Sequence, residues 1–162
     1  NNVDEELLHK AIGILSRAPI IYTAGFNLSS FLAGIASYLF HRVGMKSFPA
    51  ILGGRSLDEQ LVTMNSEDVL VVFSFPPYSA QTISAARFAK RTNCRVITVT
   101  NSPAAPIVKY SDVVFRVKSD SGIFTNSVSS TLLLLYVLVN ELAILNKGRF
   151  KQTAQKIQLL KN

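Results

Sequence analysis

Five consecutive apolar residues, Val69-Leu70-Val71-Val72-Phe73, run straight into Ser74-Phe75-Pro76-Pro77-Tyr78-Ser79. This junction restricts the fold more than any other stretch of the chain. An unbroken apolar run of this length suits a strand covered on both faces, the signature of a parallel sheet between helical layers. Pro76 and Pro77 end that strand, because proline fixes φ and has no N–H for a ladder. Ser79 then stands where a helix over residues 80–90 needs its N-cap. A helix starting there is expected to leave backbone N–H groups free over the strand end, among the hydroxyls of Ser74, Ser79 and Thr82. Such a helix start is a ready-made anion site.

The flanking chain repeats the pattern. A helix opened by Asp4-Glu5-Glu6 is followed by a short apolar strand at 20–23, the turn Ala24-Gly25-Phe26-Asn27-Leu28-Ser29-Ser30, and a helix over 30–43 that Gly44 ends. A strand over 46–51 carries Pro49, which argues for a sheet edge. Gly53-Gly54 turns the chain into a short helix over 57–64. After the central strand and its helix, closed by Thr92-Asn93, come a strand over 95–100, a turn and short helical segment to Tyr110, and a strand over 112–117. The loop Ser119-Asp120-Ser121-Gly122 precedes a long apolar helix reaching about Asn146, capped by Thr125 or Asn126. Gly148 is expected to break it, before an amphipathic helix over 150–160.

Strands alternating with helices predict an α/β three-layer sandwich: a five-stranded parallel sheet with right-handed crossovers, order 2-1-3-4-5, flanked by helices. Ligands in such sheets bind outside the carboxyl ends of the strands, where the winding reverses. Here the reversal falls between the first and third strands, so the turns at 25–30 and 74–82 are predicted to face one crevice. Gly25 permits positive φ or close approach to a ligand, and Asn27 tolerates the left-handed region. Serines also cap helices with no ligand at all; it is the pairing of two hydroxyl-rich turns that points to binding. Neither turn contains lysine or arginine. An anion here would be held by N–H groups, hydroxyls and helix dipoles, which favours a phosphorylated metabolite over a polyphosphate nucleotide.

Composition excludes other classes. At 162 residues, 48% hydrophobic and 17% charged, the chain has the size and composition of one ordered domain. A single cysteine, Cys94, rules out an internal disulfide and a cysteine-only metal site; it reads as a small packed residue. There is no P-loop lysine and no Gly-x-Gly-x-x-Gly. His9 and His41 lie in different helices without paired spacing. Glu141, the acid of the long apolar helix, reads as a rim or structural residue, with a buried base as the alternative. The apolar run 132–145 is too short to span a membrane and is read as core or dimer interface. The net charge of +7 owes much to Lys147, Arg149, Lys151, Lys156 and Lys161, with no acid among them. This tail is read as a solvated helix face, with nucleic-acid contact as the competing reading. The missing initiator Met is read as the mark of a piece of a longer protein.

Gly25-Phe26-Asn27-Leu28-Ser29, Ser74 with Tyr78-Ser79-Ala80-Gln81-Thr82, Ile97-Thr98-Val99-Thr100-Asn101-Ser102 and Ser111-Asp112-Val113, in that order between strands, resemble the sugar isomerase (SIS) domain. The variant Ser-Phe-Pro-Pro-Tyr-Ser-x-x-Thr is similar to the effector domain of RpiR-type transcription regulators. The resemblance covers nearly the whole chain, 1–162, with 1–18 as a linker helix from an absent N-terminal helix-turn-helix domain. It implies a sugar phosphate effector held by Gly25, Asn27, Ser29, Ser74, Tyr78, Ser79, Thr82 and Asn126. It also implies no cofactor or metal, a homodimer or tetramer packed through long apolar helices, a cytoplasmic location, and DNA reached only through the absent domain. Two positions depart from the family pattern: Asn27 and Ala80 stand where glycines are usual, and Ala80 sets a methyl group near the phosphate. The regulator branch generally lacks the isomerases' acid and base residues, so a non-catalytic sensor is expected. An aldose–ketose isomerase using Glu141, Glu67 or a histidine is the alternative, and a dimerisation module with a vestigial pocket is a third reading.

Overall fold

The computed structural model describes residues 4–50, 55–120 and 126–161. The helix α1 (Glu5–Arg17) leads into strand β1 (Ile21–Ala24), helix α2 (Leu28–Arg42) and strand β2 (Ser47–Ala50). A single helical turn, α3 (Leu57–Gln60), precedes β3 (Val69–Ser74), α4 (Ala80–Arg91) and β4 (Arg95–Thr100). A 3-10 turn at Val108–Tyr110 leads to β5 (Val113–Arg116), α5 (Ser129–Leu145) and α6 (Lys147–Leu159). The strands form one sheet in the order β2-β1-β3-β4-β5, every neighbouring pair parallel. The expected order and the three-layer architecture are therefore observed.

Burial explains the layers. All six residues of β3 are buried, as a central strand between two helical layers requires. On one side β3 presents Val69, Val71 and Phe73 to a core shared with α1, α2 and α5. On the other, Leu70 and Val72 meet α4 and the segment from Leu57 to Met64. β2 lies at the edge with Pro49 in it, where a missing N–H deprives no neighbour of a bond. Gly44 takes φ +87° just past α2, the left-handed turn that favours glycine after a helix.

Several boundaries differ from expectation. α2 begins two residues early, at Leu28, because Asn27 adopts φ 50° and turns the chain into the helix itself. Only Leu57–Gln60 of the 57–64 segment is helical; Leu61 and Met64 still bury as if it continued. The break between the last two helices sits at Asn146, which leaves helical geometry at φ −116°, ψ 47°. Gly148 lies within the first turn of α6, and the two helices meet at 104°. Gly53, Gly54, Ser121, Gly122 and Thr125 fall outside the described residues.

Asp112 fastens the amino edge of the sheet. Its carboxylate accepts from Lys90 Nζ at 2.9 Å, Arg95 Nη1 at 3.2 Å and the Val96 amide at 2.9 Å, while its carbonyl accepts from Lys10 at 2.9 Å. Burial would raise this carboxyl, but the bonds from Lys90, Val96 and Arg95 together hold it below its usual range.

Candidate functional site

Ala24 and Val72 are partners in the β1–β3 register, so the two chains leave the sheet side by side. The loop after β1 and the loop after β3 then wall one cleft of about 200 Å³. Asn27, Ser29, Ser74, Ser79, Thr82 and Asn126 all line it. Six of the eight residues expected at the site are thus brought together.

Each is positioned by local geometry. Asn27 holds its positive φ while its carbonyl accepts from the Ser30 hydroxyl at 2.6 Å; its own side chain makes no cap bond. Ser29 follows in the first turn of α2, 9% exposed. Thr82 is buried in the first turn of α4, behind Ser79. Ser74 ends β3, buried, and its hydroxyl has no hydrogen-bond partner. Its register neighbour on β4 is Thr100, equally buried with an equally unpartnered hydroxyl. Two adjacent orphan hydroxyls at the carboxyl edge are unusual, because buried polar groups nearly always find partners.

The remaining expectations are placed differently. Gly25 does not take positive φ and does not line the cleft. A Cβ there would stand 2.2 Å from the Ser29 carbonyl oxygen and 2.5 Å from its carbon, so the glycine admits the first turn of α2 rather than a ligand. Tyr78 points to the far side: its phenol donates to Asn101 Oδ1 at 2.9 Å, and its ring packs against the α4 core. It braces the turn and does not line the cleft. Asn126 does not cap α5, which starts three residues later after Val128. Its amide donates to the Pro76 carbonyl at 2.6 Å, tying the segment before α5 to the Pro76-Pro77 turn. Nor are all the amides of α4 free: the Ser79 hydroxyl accepts from Gln81 N at 3.2 Å and Thr82 N at 3.4 Å. Those two bonds use its oxygen and leave its proton to donate outward, polarised by the helix behind it.

Ser127 and an apolar wall that includes Phe26, Leu32, Phe75 and Val128 also line the cleft. Ser127 was within reach of sequence reasoning, as a hydroxyl in the loop after the fifth strand. The wall residues were hidden by their ordinary apolar patterning. No acidic, basic or histidine side chain lines the cleft among the described residues, and no group of three or more metal-ligating side chains occurs among them. His9, His41 and Glu141 are exposed on helices. Glu141 is thirteen residues along from Val128, about 20 Å at 1.5 Å per residue. Glu67 precedes β3, at the opposite edge of the sheet.

The model of the SIS domain matches residues 14–141. The chain belongs to the SIS domain family. An uncharacterized HTH-type transcriptional regulator of Clostridium perfringens is 26% identical over 155 residues, which cover 95% of this SIS chain and 55% of that protein; the chain spans about half the length of the curated relatives it matches. Among solved structures, the sugar isomerase domain of an RpiR transcription factor from Sphaerobacter thermophilus superposes with TM-score 0.91 at 18% identity, covering 96% of this chain and 87% of that one. The Vibrio vulnificus NanR protein complexed with ManNAc-6P gives TM-score 0.82 at 23% identity, covering 97% and 62%. A putative sugar-phosphate isomerase from Listeria monocytogenes gives 0.79 at 19%, covering 91% and 82%. The SIS fold is thus shared by regulators and isomerases, and this chain is similar in sequence to regulators.

Proposed function

We propose that this domain is the non-catalytic sensor of a transcriptional regulator, and that its cleft holds the phosphate of a sugar phosphate. The observation carrying the reading is the unpartnered Ser74 hydroxyl in the wall of a cleft that has no charged lining residue among the described ones. A phosphate supplies the acceptor that Ser74 lacks. Ser29, Ser79 and Thr82 add donors, and the N-termini of α2 and α4 add a favourable field. An aldose–ketose isomerase needs a base at the sugar carbons; Glu141, Glu67 and the histidines all stand elsewhere, which supports sensing over catalysis. The regulator relatives favour the regulatory role, and the ManNAc-6P complex of NanR favours the ligand class.

The test is calorimetric titration of sugar phosphates and of the matching unphosphorylated sugars. Micromolar binding that requires the phosphate and is lost in Ser79→Ala/Thr82→Val is expected. Indifference to every sugar phosphate, or equal binding of the free sugars, would refute the reading. Turnover of a bound sugar phosphate would instead establish the isomerase.

The same reading has the domain act as a cytoplasmic homodimer or tetramer. Phe31, Tyr38, Leu133 and Tyr136, on the adjoining helices α2 and α5, are 54–71% exposed, an outward apolar face of the kind that pairs with a copy of itself. Among the described residues no single helix is long and apolar enough to cross a membrane; α5 and α6 together have the length and composition but bend by 104°. Sedimentation equilibrium of the wild type and of Phe31→Glu/Tyr136→Glu tests the assembly; a monomeric wild type would refute it.

A further inference from the structure

Charge is divided between the two ends of this molecule. In a parallel sheet the crossover helices run back from the carboxyl edge to the amino edge. α1, α2 and α4 therefore end at the amino edge, opposite the cleft, and their exposed Arg17, Arg42 and Arg91 collect there with Lys46. α5 starts at the cleft and runs for 17 residues, about 25 Å, so α6 also lies at the amino edge. Two contacts fix α6 there. Arg149 packs over Gly44, 2.6 Å from where a Cβ would stand, and donates to Met45 Sδ at 3.2 Å.

α6 carries Lys147, Arg149, Lys151 and Lys156, contains no acid, and buries none of its residues. Among the described residues the ion pairs are those of Lys90 and Arg95 with Asp112, so the α6 cations are left unneutralised. The acids at this end do not cancel them. Asp112 is paired and Asp68 is buried, leaving Glu67 and Glu141 exposed. The other end mixes both signs, with Asp4, Glu5, Glu6, Glu59 and Asp120 beside Arg55, Arg116 and Lys118.

Basic residues at helix ends complement the helix dipoles, which accounts for Arg17, Arg42 and Arg91. It does not account for α6, whose cations begin at its first residue and recur along its length. We infer that α6, continued by the last turn of α2, is a docking surface for the phosphate backbone of duplex DNA, contacted without reading its sequence. This departs from the expectation that DNA is reached only through a separate domain. A polyanion fits because α6 is exposed along its length and carries no acid. At 3.6 residues per turn Lys147 and Lys151 share its outward side, while Lys156 falls on the flank with Arg149, which packs over Gly44. A membrane fits less well: apart from Phe150, the well-exposed apolar residues of α6 and its end are Leu159 and Leu160, clustered at one tip. The placement leaves the cleft at the opposite edge open while DNA is bound, and it stands whether or not the cleft takes a sugar phosphate.

The experiment is fluorescence anisotropy of a labelled random-sequence duplex titrated with the 162-residue chain from 50 to 200 mM salt. With about four phosphates neutralised, affinity should fall roughly a hundredfold over that range. Lys147→Gln/Lys151→Gln/Lys156→Gln should bind far more weakly at 50 mM and lose only about threefold across it. Arg55→Gln/Arg116→Gln/Lys118→Gln, which removes the same charge from the carboxyl edge, should keep the steep slope. Absence of binding at 50 mM salt would overturn the inference. So would equal losses in the two triple variants, or capture by phosphatidylserine vesicles in preference to DNA.

Discussion

Replacing Ser74 with alanine should make the free protein more stable and the liganded protein less so. The side chain is 3% exposed and its hydroxyl has no partner. A hydroxyl desolvated without a hydrogen bond costs about 1–3 kcal/mol. Removing it exchanges one small side chain for another, so free Ser74→Ala should gain about 1 kcal/mol, close to 3 °C in Tm for a chain of this size. In the proposed sugar phosphate complex the same hydroxyl would donate to the phosphate, a charge-assisted bond of about 1.5–3 kcal/mol. Its loss weakens binding by about 10- to 150-fold. At a ligand concentration near 100 times the wild-type Kd, wild type is stabilised by about 2.7 kcal/mol. After a fiftyfold weakening the same concentration gives the variant only ~0.6 kcal/mol. Thermal melts with and without ligand therefore read both halves: a higher baseline and a ligand shift about one quarter as large. A free variant less stable than wild type by 1 kcal/mol or more (the scale of one hydrogen bond), with the full ligand shift retained, would refute the reasoning.

Two glycines nine residues apart should respond to alanine with opposite signs. Gly25→Ala drives a Cβ into the Ser29 carbonyl and should lose about 1–3 kcal/mol or more, along with ligand binding. Gly34→Ala, inside α2 with nothing within 4 Å of the added methyl, should gain about 0.5–1 kcal/mol; urea unfolding measures both. Asp112→Asn should cost about 1–3 kcal/mol at neutral pH, since it weakens bonds to two cations. The folded Asp112 carboxyl is held below its usual value, so its contribution is present above the unfolded value near 3.9. That contribution is lost as pH falls through the folded value. Wild type should thus lose stability more steeply below about pH 4 than Asp112→Asn, which urea melts across the acid range will show. Burial, together with the charge of Asp68, pushes the Cys94 thiol up despite a bond from Thr92, and the thiol donates to the Asn65 carbonyl at 2.8 Å. A thiol reagent at pH 8 should modify it about a hundredfold more slowly in the native protein than in urea.

Much of this molecule is legible before any coordinates. Apolar runs of four to six residues between helical periods specify a parallel sheet, and the two prolines and serine after Phe73 specify where a strand stops and a helix starts. Those are local effects of backbone sterics and of burial on two faces, which is why the sheet order and the meeting of the two hydroxyl-rich turns could be reasoned out in advance. What the tertiary structure decided was direction and partnership. Tyr78 and Ser79 are neighbours, yet one turns to Asn101 and the other into the cleft. Gly25 is needed by the carbonyl of Ser29, a contact no spacing rule encodes. Asn126 spends its amide on Pro76, fifty residues away, instead of on the helix that follows it. Local sequence sets which backbone conformations are cheap. Which hydroxyl is left without a partner, and which cations gather at one edge, depends on elements brought together from across the chain.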